Sequence, residues 1–167
     1  MKTYWRARGT TGGRNVFLFR GVNTLSLDTK GRLSIPSRYR ERLRDLCNGK
    51  LILTVDFDHC LLLYPFPAWE EIERKLAALP NLDRRARALQ RMLIGHATDC
   101  EMDASHRILV PPPLRDYAGL DKHVVMIGQG NKFELWDEQR WNEQRELWLA
   151  AGGEAGPLPT DLDSLSL

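Results

Sequence analysis

Two short stretches of the chain set a carboxylate and a guanidinium at the same spacing. Asp28-Thr-Lys30-Gly31-Arg32 and Asp103-Ala-Ser-His106-Arg107 both read Asp-x-x-x-Arg. Opposite charges four apart across a tight turn lie near neighbouring strand ends, where they can pair. One reading of Asp28 is therefore local, an ion pair that fixes the turn. Arg32 has a second use, because an arginine oriented by a carboxylate is preorganised to meet a phosphate or a guanine edge. Lys30, at the tip with no fixed partner, suits a phosphate contact. Arg20, just before the first strand, and Arg38, Arg40, Arg42 and Arg44 beyond it enlarge the positive surface. Some of those helix arginines must be solvated, or paired with Glu41 and Asp45. The chemistry on offer is recognition of a polyanion.

The charge distribution agrees. The net charge is +2, yet Met1 to Arg44 holds eleven Lys/Arg against two acids, Asp28 and Glu41. The remainder carries an excess of seven acids. A basic front end on a nearly neutral protein is a local electrostatic footprint suited to nucleic acid. The composition, 43% hydrophobic and 28% charged in 167 residues, is that of a folded protein. No apolar run approaches the roughly 18–20 residues that span a bilayer. The three cysteines, Cys47, Cys60 and Cys100, form no CxxC and fit a reducing cytoplasm.

An internal repeat decides the architecture. Leu25 to Pro36 and Cys100 to Pro111 share Asp, Arg, an apolar alternation and Pro, 75 positions apart. Leu51 to Val55 then matches Lys122 to Ile127, Leu63-Tyr64 matches Leu135-Trp136, and Trp69 matches Trp141. Within each copy, period-two alternation on both sides of the turn predicts a β-hairpin. Pro36-Ser37 predicts a helix to Leu46, with Ser37 as cap and Leu43 and Leu46 inward. Leu51 to Val55 and Leu61 to Tyr64 read as two strands around Asp56 to His59. Pro67 launches a helix from Ala68 to Leu79 with Trp69, Ile72, Leu76 and Leu79 on one stripe. A second helix follows from Asp83 to Ile94. The second copy repeats hairpin, short helix (Pro113 to Ala118), two strands and a final helix (Asp137 to Leu149). Each copy is too small to bury its own apolar faces, so the two are expected to clasp into one pseudo-symmetric α+β body.

These motifs, with Leu93-Ile94-Gly95-His96-Ala97 and Asn131-Lys132-Phe133-Glu134-Leu135-Trp136, resemble the MraZ family from about Phe19 to Leu149. The resemblance implies two SpoVT/AbrB-type swapped-hairpin units in one chain, with flanking helices. It implies a cytoplasmic, nucleoid-associated transcriptional regulator that assembles into a ring. It would act on repeated double-stranded DNA boxes upstream of its own division and cell-wall gene cluster; repression is expected separately, because a protein sitting across promoter-proximal repeats blocks polymerase most simply. The residues expected at DNA are Arg20, Lys30, Arg32, Arg38 and Arg107, with Asp28, Gly31 and Asp103 shaping the motif. The expected organisation is a basic arm over 1–18, a first unit over 22–67, a helical linker over 68–96, a second unit over 97–140, a final helix over 141–151 and a tail over 152–167. The family chain begins near Phe19-Arg20-Gly21, so the arm is extra; an alternative start at Val16 or Leu18 would remove it. His106 stands where the first copy has Gly31, so the second turn either differs in type or carries strain if that position needs positive φ.

Rival classes find less support. The chain has no nucleophile elbow, no Walker loop and no HExxH helix, and is read as a non-enzyme without cofactor, metal or small-molecule ligand. Gly128-Gln-Gly130-Asn131 reads as a hairpin turn, Glu70, Glu71 and Glu73 as a solvated face, and His59-Cys60 as a strand-end pair with Cys60 in the core. The second rival is an oligomeric scaffold that binds partners without reading DNA. Trp69, Trp136, Trp141 and Trp148 would be its anchors. Trp69 and Trp141 fit the core better, which leaves Trp148 as the best contact residue.

Overall fold

The computed structural model describes residues 18–152, so all but the last residue of the arm and the first of the tail lie outside the described residues. In chain order the elements are β1 (Phe19–Ser26), β2 (Arg32–Ser34), α1 (Ser37–Cys47), β3 (Lys50–Val55), β4 (Leu61–Pro65), α2 (Phe66–Ala77) and α3 (Arg84–Leu89). A π-helical turn, Gln90–Ile94, continues α3. Then come β5 (Thr98–Glu101), β6 (Arg107–Leu109), α4 (Pro112–Ala118), β7 (His123–Gly130), β8 (Lys132–Asp137) and α5 (Glu138–Ala151).

Six strands form one antiparallel sheet in the order β1-β7-β8-β4-β3-β5, and β2 pairs with β6 in a separate two-stranded ribbon. The order is a palindrome under the repeat: β1 matches β5, β7 matches β3, and β8 matches β4. A pseudo-two-fold axis therefore passes between β4 and β8, which pair through Leu61–Leu135, Leu62–Glu134 and Leu63–Phe133.

The strands before and after each Asp-x-x-x-Arg turn do not form the hairpin that their alternation suggests. β1 pairs instead along its whole length with β7 of the other copy, from Phe19–Gly130 to Ser26–His123. β2 pairs with β6, again of the other copy. Between the backbones of the first turn there is no strand ladder, only the Asp28 N–H to Arg32 carbonyl bond and the Gly31 N–H to Asp28 carbonyl bond, each 3.0 Å. Alternation reports which face of a strand is buried, and that face is the same whichever strand lies beside it.

The clasp buries one shared core. Leu33, Ile35, Tyr39 and Leu43 from the first copy meet Ile108, Val110, Leu114 and Ala118 from the second, over Leu53, Leu63, Met126 and Phe133 of the sheet. Phe19, Tyr39 and Phe133 meet in tilted and edge-on contacts with centroids 4.4–5.9 Å apart. On the opposite face α2 lays Trp69, Ile72 and Leu76 against Ile52, Leu62 and Tyr64, so the expected stripe holds, with Leu79 packed at its edge. Cys60, Val125 and Trp136 make a third cluster beside Trp141. Trp136 is therefore core, not an anchor for partners.

Ser37 does not cap α1: Pro36 takes the N-cap position and no side chain bonds the helix start. Asp83 caps α3, accepting from the N–H groups of Arg85 and Ala86, and Asp137 caps α5. Among the described residues no helix is long and apolar enough to cross a membrane.

Candidate nucleic-acid interface

The two Asp-x-x-x-Arg turns share one hydrogen-bond pattern. Asp28 Oδ1 accepts from the backbone N–H of Lys30 (3.0 Å) and of Arg32 (2.9 Å), and Oδ2 accepts from Arg32 Nε at 2.8 Å. Asp103 Oδ1 accepts from Ser105 and Arg107 N–H at 2.8 and 2.9 Å, and Oδ2 from Arg107 Nε at 3.2 Å. The Arg32 N–H above all, with the Arg32 side chain and the Lys30 N–H, holds the Asp28 carboxyl below the ordinary carboxylate value, against a smaller opposing effect of burial. The Arg107 N–H does the same for Asp103. Each aspartate thus fixes both the loop and its arginine.

The third turn position needs positive φ in both copies. Gly31 has φ +84 and His106 φ 60. The turns are therefore the same type, and His106 takes a conformation that a non-glycine residue enters at a cost. Its ring Nε2 lies 2.8 Å from Arg44 Nη2. Gly31 is also needed for space, since a Cβ there would sit 2.8 Å from the Arg115 guanidinium carbon and 3.0 Å from the Val110 carbonyl oxygen.

Both arginines use Nε on their aspartates, and their terminal Nη groups have no further partner among the described residues. In the ribbon Arg32 lies opposite Leu109 and Ser34 opposite Arg107. Residues directly opposite share a face, as do residues two apart. Arg32, Ser34, Arg107 and Leu109 therefore occupy one face, while Leu33 and Ile108 fill the core from the other at 0% exposure. Lys30 is exposed at the tip beside Arg32.

The remaining sequence candidates lie elsewhere. Arg20 is exposed on β1, eight residues from Asp28, about 26 Å along an extended strand. Arg38 leans on the middle of β1: its Nη2 donates to Asn23 Oδ1 at 2.7 Å and its guanidinium lies over the Tyr39 ring. The other α1 arginines are also committed. Arg40 Nε donates to the Ile35 carbonyl (2.7 Å), Arg42 Nη1 to the Leu18 carbonyl (2.8 Å), and Arg44 meets His106. Among the described residues none of them pairs with Glu41 or Asp45.

Arg115 was absent from the sequence candidates. Its guanidinium lies against Gly31 and its buried Nε has no hydrogen-bond partner among the described residues. The signal was present, because the 75-residue offset places it on Arg40.

Asp56, Cys60 and Glu134 bring three possible metal-ligand atoms within 4.8 Å of one another. Burial pushes the Cys60 thiol up and raises the Glu134 carboxyl, both against ionisation. The neighbouring His59 ring does not join them but stacks on Tyr117 with centroids 5.1 Å apart.

Comparison with known proteins agrees with the fold. The model of the MraZ protein family, antitoxin-like in its description, matches twice, over residues 18–92 and 93–151. "Transcriptional regulator MraZ" of Thioalkalivibrio sulfidiphilus is 59% identical over 150 residues, covering 90% of this chain and all of that protein. The protein of the same name from Halorhodospira halophila is 58% identical over 153 residues, and that from Pseudomonas putida strain W619 is 55% identical over 151, each with the same coverage. These relatives are named as regulators of transcription, and the family is not one of enzymes. With two family matches that together run through both halves of the pseudo-two-fold body, the chain belongs to the MraZ family.

Proposed function

We propose that this protein is a sequence-specific DNA-binding regulator of transcription. The observation that carries the reading is the outer face of the β2–β6 ribbon, which presents two aspartate-held guanidiniums whose Nη groups have no partner among the described residues. A two-stranded β-ribbon fits the major groove, and an arginine with two free donors is the commonest reader of guanine. Lys30 adds a phosphate contact at the tip. Arg20 and Arg38, away from the ribbon, would serve as outlying contacts to DNA that passes along β1. The relatives' name as transcriptional regulators supports regulation of transcription.

One ribbon offers few contacts, so the working form is a closed homo-oligomer, a ring that presents several ribbons to repeated boxes upstream of its own gene cluster. Tethered sites gain from effective concentration without any new contact. Two features favour assembly: among the described residues β1 and β5 close the sheet as unpaired edges, and α5 exposes Leu147, Trp148 and Leu149. A protein lying across promoter-proximal repeats in the cytoplasm, at the nucleoid, represses by blocking polymerase. The scaffold alternative rests on the same exposed α5 residues and lacks a use for the ribbon arginines.

The test is a fluorescence-anisotropy titration with duplex from upstream of the gene against random duplex. Cognate binding should be tighter. Log affinity should fall with log salt at a slope steeper than about −4 if five or more phosphates are neutralised. Equal binding to both duplexes would remove the reading, as would an affinity indifferent to salt. Light scattering that finds only a 19.2 kDa species would remove the oligomer.

A further inference from the structure

The ribbon face carries one residue that phosphate or guanine recognition does not use. Leu109 is 54% exposed, although Leu33 and Ile108 beside it are fully buried. A single exposed leucine is ordinary on a protein surface. This one is unusual in its neighbours: it lies directly opposite Arg32 and two residues along β6 from Arg107. Its repeat equivalent is Ser34, so nothing in the ribbon fold demands an apolar group at that place. The carboxylates nearest these positions in sequence, Asp28 and Asp103, are occupied in holding the arginines.

We propose that Leu109 is a specificity-determining residue that contacts the C5-methyl group of a thymine in the major groove. The inference rests on the DNA-binding reading and deepens it. Charge selects the occupant, because two guanidiniums flank the leucine and a duplex is the polyanion whose groove admits such a ribbon. Apolar side chains that face the major groove meet the thymine methyl, the one apolar group on the base edges there. Cross-strand neighbours such as Arg32 and Leu109 have Cβ atoms about 5 Å apart. Base pairs rise about 3.4 Å per step. With Arg32 on a guanine, Leu109 therefore falls over a neighbouring base pair. Ser34, opposite Arg107, offers a hydroxyl that suits any base, so the two halves of the ribbon differ in what they read.

The experiment replaces each thymine of the upstream duplex in turn with deoxyuridine, which keeps base pairing and removes only the methyl. Full-length protein is titrated by anisotropy. Wild type should lose about fourfold in affinity at a thymine adjoining a guanine, the loss expected for one methyl group taken out of contact. Leu109→Ala should bind the thymine duplex about as weakly as wild type binds the uracil duplex, and should no longer distinguish the two. Light scattering of Leu109→Ala checks that its assembly is unchanged. If wild type prefers the upstream duplex but ignores every uracil replacement, the assignment of Leu109 is overturned and the DNA reading stands. The same holds if Leu109→Ala keeps the discrimination. If wild type shows no preference for the upstream duplex, both fall together. The uracil scan on wild type decides the matter even where the variant assembles differently.

Discussion

Gly31→Ala tests the geometry of the first loop without touching a charge. Gly31 has φ +84, and an L-residue in the left-handed region costs roughly 1–2 kcal/mol. The second copy sets a check on that figure, because His106 lives at φ 60 in the same turn. The first loop adds a steric term. The new Cβ would meet Arg115 Cζ at 2.8 Å, Arg115 Nε at 2.9 Å and the Val110 carbonyl oxygen at 3.0 Å. The guanidinium can swing away, at the loss of its packing; the carbonyl belongs to the backbone and must be pushed a few tenths of an ångström. Together these give about 2–3 kcal/mol of destabilisation, within the range of substitutions at special backbone positions. The assay is urea unfolding followed by tryptophan fluorescence at one fixed protomer concentration, since assembly contributes to apparent stability. Arg115→Ala supplies the second arm. In that background Gly31→Ala should cost about 1 kcal/mol less, as residues in contact are coupled. A Gly31→Ala protein within about 0.5 kcal/mol of wild type would refute the argument. So would a double variant whose cost is the plain sum of the single ones.

Four other outcomes are expected. Lys30→Ala should leave the thermal midpoint unchanged, weaken binding to all duplexes alike and lower the salt slope by about one. Arg32→Ala should instead narrow the gap between cognate and random DNA by about 1–3 kcal/mol, and Arg107→Ala by less, since its turn carries His106 and faces Ser34; anisotropy on the three variants decides. Asp28 and Asp103 titrate below the ordinary 3.8 in the folded protein, so their support is complete above that value and fades as pH falls through their lowered folded values. Urea melts should lose stability below about pH 4, and the Asp28→Asn, Asp103→Asn protein should show a shallower acid dependence. Trp148→Ala, 45% exposed and edge-on to Trp136 and Trp141, should lower the assembled mass by light scattering if α5 is a subunit contact. An unchanged mass would shift that contact to the strand edges.

Much of this was legible in the chain. The repeat located matching strands and helices, and Trp69, Ile72 and Leu76 lie inward as their spacing implies. The Asp-x-x-x-Arg spacing implied a carboxylate that holds an arginine, and both pairs form. Strand partnership was not legible in the alternation, because Leu25, Leu27, Leu33 and Ile35 show the same period in a hairpin and in a swapped pair. The partners of the α1 arginines were hidden for a related reason, although Arg38, Arg42 and Arg44 are exposed as a solvated face requires. Sequence neighbours suggested Glu41 and Asp45, whereas the helix packs across β1 and the next copy, so the guanidiniums meet Asn23, Ile35, Leu18 and His106 instead. Tyr39 carried no charge or motif to mark it, yet it bonds the Arg20 carbonyl at 2.6 Å and ties α1 to β1.

The crossing of the copies explains why the candidate site cannot be assembled from half of the chain. β2 has three residues and its ladder partner is β6. A lone first copy would leave Leu33 and Ile35 facing water and Arg32 on an unpaired strand. Burying residues of this size contributes roughly 1.5–3 kcal/mol each, so the ribbon's position is set by core residues from both copies. The first loop is likewise composite, with Asp28 to Arg32 from one copy laid on Arg115 from the other. Difference between the copies has collected where the core does not forbid it. Leu33 and Ile108, which pack inward, keep their character across the repeat. Ser34 and Leu109, on the outer face, differ, and His106 stands in the second loop where Gly31 of the first is hemmed in by Arg115. A pseudo-two-fold body held rigid by a shared core thus presents two chemically different arginine sites on one ribbon, a property that two identical halves could not supply.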